Sequence, residues 1–160
     1  MNRKRNGLKM FWFALLIVPA AASMIPAIGC TNKAPDIRIE KASAQVSPAM
    51  LGVASVFMNI VNSGGKDVLL SAKTDVKGTV TELHDIKDGK MVKVERIDVP
   101  SSGIGQLKSG SLHIMIFNLP KDLKPGSSIR LVLVFEKAGE MALTVAMESN
   151  MMHQMGHGGH

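Results

Sequence analysis

His84, Met91, His113 and Met115 are the residues of this chain whose types and spacing could do chemistry; a second group, Met151, Met152, His153, Met155, His157 and His160, stands at its end. Imidazole and thioether are neutral donors of borderline to soft character, and no cysteine lies anywhere between Thr31 and His160. Hard ions such as Ca(II) and Mg(II) require oxygen ligands. A thiol-free nitrogen and sulfur set suits Cu(I) better than those ions or Zn(II). Both imidazoles must be neutral to bind, so acidification toward and below the reference histidine pKa of about 6.5 weakens such a site.

The donors converge only if local structure puts them on common faces. Asp88-Gly89 between two β-type runs signals a two-residue hairpin turn of the primed type, which needs positive φ at both central positions. With Lys87 opposite Lys90, Ile86 faces Met91 and His84 faces Lys93. His84 and Met91 then lie on one face as diagonal neighbours, about 7–8 Å apart at Cα. His113 and Met115, two apart, project from one face of another strand. Each pair is consistent by itself, and a shared N2S2 site requires the two pairs to meet.

The elements that must position them are short and β-type. The sequence predicts strands over 37–45, 53–61, 68–73, 79–86, 91–97, 105–107, 113–117, 129–135 and 141–147. The separators carry turn chemistry: Asn62-Ser63-Gly64-Gly65, Asp88-Gly89, Pro100 to Gly103, Lys108-Ser109-Gly110, Pro125-Gly126 and Ala138-Gly139. About nine short strands with no clear helical period indicate an all-β sandwich or barrel. Its core would draw on Val, Ile and Leu with Phe57, Phe117 and Phe135.

The two ends do not belong to that domain. Residues 1–29 hold Arg3, Lys4, Arg5 and Lys9, no acid, and a long apolar run, the pattern of an export signal. Ala27-Ile28-Gly29-Cys30 is similar to a bacterial lipoprotein cleavage box, with Ala27 where Leu is usual; Cys30 would become the acylated first residue. An ordinary cleaved signal and a retained anchor are the alternatives, and Pro19 and Pro26 count against the anchor. All three place the domain outside the cytoplasm, periplasmic and membrane-anchored through Cys30 or else secreted. The expected organisation is signal 1–29, lipidated cysteine and tether 30–35, β-domain 36–148 and Met/His tail 149–160.

Charge and composition exclude several functions. The whole chain carries +6, but the leader removes four basic residues, leaving 15 basic against 13 acidic, a net +2. Nucleic-acid binding has no electrostatic support at that charge. A blue-copper electron carrier needs a Cys thiolate beside two His, which the mature domain lacks. No Gly-x-Ser-x-Gly elbow or paired carboxylates stand out, so an enzyme is not expected.

The pattern resembles the periplasmic copper chaperone family PCu(A)C. Its signature, a His, a following Met, then 21 residues before His-x-Met, is matched by His84, Met91 and His113-Ile114-Met115, with residues 92–112 between. Ala54 to Gly64, Glu82-Leu83-His84-Asp85 and Val134 to Glu140 are also similar to family segments. The departure is the six-residue interval between His84 and Met91, shorter than usual, with Ile86 where the family often has Met. The resemblance implies a Greek-key, cupredoxin-like β-sandwich, and a monomer is expected. It also implies Cu(I) delivery to the copper centre of cytochrome c oxidase, directly or through a Sco-type thiol protein.

The tail packs three Met and three His into residues 151–160, with glycines that let it wrap an ion. It reads as a second copper site that recruits metal or closes over the first, and its His could also take Cu(II). The competing reading for the protein is a structural or adhesion sandwich whose metal binding is incidental and confined to this tail.

Overall fold

A computed structural model of the chain describes residues 33–47 and 50–149. The expected signal segment, Cys30 and the candidate tail ligands Met151, Met152, His153, Met155, His157 and His160 lie outside the described residues. Those described form ten strands and no helix. They are β1 (Ile37–Val46), β2 (Ala54–Asn62), β3 (Asp67–Thr74), β4 (Val80–Lys87), β5 (Lys90–Val94), β6 (Ile97–Val99), β7 (Gly103–Leu107), β8 (His113–Phe117), β9 (Ser128–Phe135) and β10 (Gly139–Ser149).

Hydrogen bonding follows the order β5-β4-β8-β2-β1-β10-β9-β3-β6, with β7 on the second half of the β2 edge that β8 occupies at its start. All pairings are antiparallel except β1 with β10. β3 approaches β4 and β6 approaches β7, so the path curls back on itself into a nearly closed sandwich. Such closure leaves few open edges for unwanted pairing.

The apolar alternation of each strand decides what faces inward. Along β2 the buried apolar residues are Ala54, Val56, Met58 and Ile60; Ile114 and Ile116 of β8 and Leu83 of β4 join them across the register. Leu69, Leu131, Leu133, Phe135 and Val145 complete the core from the other side. Each of the larger side chains, Val, Leu, Ile, Met or Phe, contributes roughly 1.5–3 kcal/mol of burial.

Two expectations are corrected. The run 91–97 is not one strand: β5 pairs with β4 up to Val94, while β6 pairs with β3. The alternation of Val92 and Val94 slips by one to Ile97 and Val99. The intervening Glu95 and Arg96, both exposed, carry the chain from one side of the sandwich to the other. Second, only Phe135 sits in the core; Phe57 and Phe117 face the opposite way, half-buried.

Candidate metal site

The Asp88-Gly89 turn forms as its residues require, with φ of 52° and 71°. It sets the register Lys87 to Lys90, Ile86 to Met91 and His84 to Lys93. On the other edge of β4, His84 pairs directly with His113 and Glu82 with Met115, while Met115 pairs with Ser55 of β2. Paired residues share a face. His84, His113, Met115 and Met91 therefore all lie on the face turned away from the apolar core, and the two candidate pairs adjoin where His84 stands opposite His113.

Their environments differ. Met115, His113 and His84 are 2%, 4% and 8% exposed, yet none belongs to the core cluster. Met91, on the edge strand, is 46% exposed. Phe57 lies 6.2 Å from the His113 ring and Phe117 6.1 Å from the His84 ring, centre to centre. These aromatic rings wall the two imidazoles on the face turned from the core.

Hydrogen bonds fix which nitrogen each ring offers. His113 Nδ1–H donates to the Ser111 carbonyl at 2.6 Å. Since a carbonyl only accepts, Nδ1 carries the proton and Nε2 keeps its lone pair. In His84 the pattern is reversed: Nε2–H donates to Glu82 Oε2 at 2.9 Å, and Nδ1 is buried with no partner. A buried polar atom without a partner is costly, so an orphaned imidazole nitrogen beside a second imidazole marks a place for a ligand. Ser55 Oγ–H donates to Met115 Sδ at 3.2 Å, which holds the thioether in place while one sulfur lone pair stays free.

The two rings are 5.9 Å apart and tilted by 43°. One ion could take a nitrogen lone pair from each ring, with the Met115 thioether on the same face as a third donor, a set that fits an ion without strict geometric demands. Among the described residues, no three His, Cys, Asp or Glu side chains are grouped to hold a metal by themselves. An ion taken here would have to use thioether.

Glu82, Lys93, Ser55, Phe57 and Phe117 were not legible as site residues. Glu82 had a signal, since Glu-x-His on a strand puts both side chains on one face. Ser55 had none, because its closeness to Met115 exists only through the β2–β8 register. Hydrogen bonds from Lys93 and then His84 hold the Glu82 carboxyl below its ordinary value of 4.5, against a smaller opposing effect of burial. A depressed folded pKa contributes stability that is present above the unfolded value and lost as pH falls through the folded one. The stability gap between the wild type and Glu82→Gln should therefore be open at pH 7 and close as pH drops below about 4.5. Thermal unfolding of both proteins across that range reads it; a gap indifferent to pH would rule out a role for the carboxylate charge.

Comparison with solved structures places the fold in one class. The copper-bound PCuAC domain from PmoF2 is similar with a TM-score of 0.61 at 24% identity, covering 72% of this chain and 95% of that one. The apo PCuAC domain from PmoF1 gives 0.63 at 24% identity, covering 72% and 96%. The solution structure of CuI-DR1885 from Deinococcus radiodurans gives 0.60 at 18% identity, covering 74% and 82%. At these identities the likeness shows the fold, a PCuAC-type β-sandwich. No sequence among curated proteins matches significantly. Residues 37–147 match the family described as "Putative lipoprotein LpqE-like", and the chain belongs to that family.

Proposed function

We propose that this domain is an extracytoplasmic copper chaperone that binds Cu(I) through His84, His113 and Met115, with Met91 as the outermost ligand. The observation that carries this reading is the cross-strand imidazole pair. One nitrogen of each ring is tied by a hydrogen bond, the other is left for a ligand, and a buried thioether stands beside them. That the PmoF2 domain is copper-bound and DR1885 was solved with Cu(I) on the same fold supports it.

Neutral donors favour handoff over storage, because a partner's thiolates can displace them one at a time. Met91, half in solvent at the edge, is the ligand an acceptor meets first. The copper centre of cytochrome c oxidase, or a Sco-type thiol protein upstream of it, has the chemistry of such an acceptor. No bond of a substrate is made or broken in this scheme, so the protein is not an enzyme. A lipid on Cys30 would hold the domain at the membrane where such acceptors reside, and the Met/His tail would collect the metal, taking Cu(II) as well through its imidazoles.

A Cu(I) competition titration comparing residues 31–150 with the full mature chain tests the reading. One tight equivalent should survive loss of the tail. If the shortened protein binds no copper while the mature chain does, copper belongs to the tail and the sandwich is structural.

A further inference from the structure

A neutral imidazole carries one proton on two nitrogens, and which of them is left bare is decided by the partner that the other finds. For His113 that partner is backbone, the carbonyl of Ser111. For His84 it is a side chain. In Glu82-Leu83-His84 of β4 the middle residue points into the core, so the outer two project together from the opposite face. Glu82 Oε2 there accepts from His84 Nε2 at 2.9 Å, and among the described residues this is the one hydrogen bond the ring makes.

The carboxylate is itself held in place. Its Oε1 accepts from the Lys93 ammonium at 2.7 Å, and Lys93 stands opposite His84 in the β4–β5 register. One oxygen is thus occupied by the cation while the other is turned to the imidazole. An ionised carboxylate only accepts, so Nε2 must carry the proton and Nδ1 is bare. Nδ1 is also the drier atom, buried without a partner in a ring 5.9 Å from that of His113. The two histidines therefore offer opposite nitrogens, His84 the one nearer its backbone and His113 the one farther from it. Only the first arrangement depends on another side chain.

We infer that Glu82 is the positioning residue of the proposed copper site: by accepting the Nε2 proton it holds His84 in the tautomer and ring orientation that present Nδ1, so that Cu(I) is taken by Nδ1 of His84 and Nε2 of His113. The inference rests on that proposed site, and its test separates the two. Closed-shell Cu(I) is diamagnetic, so NMR can read each ring nitrogen of the isotopically labelled mature chain with and without the metal. His84 and His113 are then seen apart from the tail. Wild type, Glu82→Gln and Glu82→Leu are compared. Glutamine still offers an oxygen to Nε2–H, since the Lys93 side chain, 64% exposed, can turn to water. Leucine fills the place of a side chain only 24% exposed and accepts nothing.

Copper-free wild type and Glu82→Gln should show one His84 tautomer, with the proton on Nε2. Added Cu(I) should shift His84 Nδ1 and His113 Nε2 and leave the protonated nitrogens protonated. Glu82→Leu should show both tautomers without copper. It should need roughly 10–100-fold more free Cu(I), set by a competing chelator, to give the same shifts, with Glu82→Gln within about threefold of wild type. A Cu(I) shift at His84 Nε2 overturns the inference, as does a Glu82→Leu protein with a single tautomer or wild-type affinity. Glu82→Gln as weak as Glu82→Leu overturns it too, because the accepted proton would then not be the cause. If the tautomers respond as stated but Cu(I) shifts neither ring in the wild type, the copper reading falls and the hold of Glu82 on His84 stands.

Discussion

Met115→Leu should lower Cu(I) affinity on the order of 100-fold, since loss of a ligand exceeds the 10–100-fold typical of losing a residue that only supports one. The substitution keeps volume and apolar character at a site 2% exposed, so the fold should lose less than about 1.5 kcal/mol. The only hydrogen bond removed is that from Ser55 Oγ, and Ser55 is only half-buried, so its hydroxyl has access to water. His113→Ala should match or exceed this loss of affinity at a higher cost in stability. It leaves the Ser111 carbonyl without its donor, worth about 1–3 kcal/mol, and opens space beside Phe57. Met91→Leu should matter less for affinity, because its sulfur is held at the solvent edge and competes with water. Competition titration with a Cu(I) chelator, paired with thermal unfolding of the copper-free proteins, separates ligand loss from misfolding. Wild-type affinity in Met115→Leu would remove β8 from the site.

How much of this was legible in the sequence depended on the range of the interaction. The Asp88-Gly89 hairpin is local chemistry: two positive-φ positions admit few alternatives, and the register they impose places Met91 relative to His84 without further information. The His113 and Met115 pair is equally local. The meeting of these two fragments is not, because β4 and β8 are separated by β5, β6 and β7, and nothing in their own residues names the other as neighbour. The same limit hid the roles of Phe57 and Phe117. An aromatic in an alternating strand reads as core, yet here the even positions of β2 and β8 face the core and these two odd ones face the imidazoles. The break between β5 and β6 was legible in principle, since the one-residue slip in apolar alternation at Glu95-Arg96 is a sequence property.

Asn62→Ala should remove about 3–4 kcal/mol of stability while leaving Cu(I) affinity unchanged, as it lies about 17 Å along β2 from the Phe57 level of the site. Its amide is buried and satisfied on every side. Oδ1 accepts from the backbone of Asp36 at 3.1 Å and Gly64 at 2.9 Å, and Nδ2 donates to the carbonyls of Gly65 at 2.7 Å and Pro100 at 2.9 Å. One side chain thus ties together the segment entering β1, the β2–β3 turn and the β6–β7 turn. Four bonds at about 1 kcal/mol each, with the abandoned backbone groups only partly reached by water, give the expected loss. The turn has no slack with which to compensate. A Cβ on Gly64 would stand 2.1 Å from the Ala34 carbonyl oxygen and one on Gly65 1.9 Å from that of Lys33, so the chain passes here closer than any other residue allows. At roughly 4 °C per kcal/mol for a domain of this size, the midpoint of thermal unfolding should fall by roughly 12–16 °C. A drop under about 3 °C would mean the amide network is replaced by water at little cost. Copper affinity falling along with stability would mean that the two ends of β2 are coupled, and that the metal face is not the independent, locally built unit its register indicates.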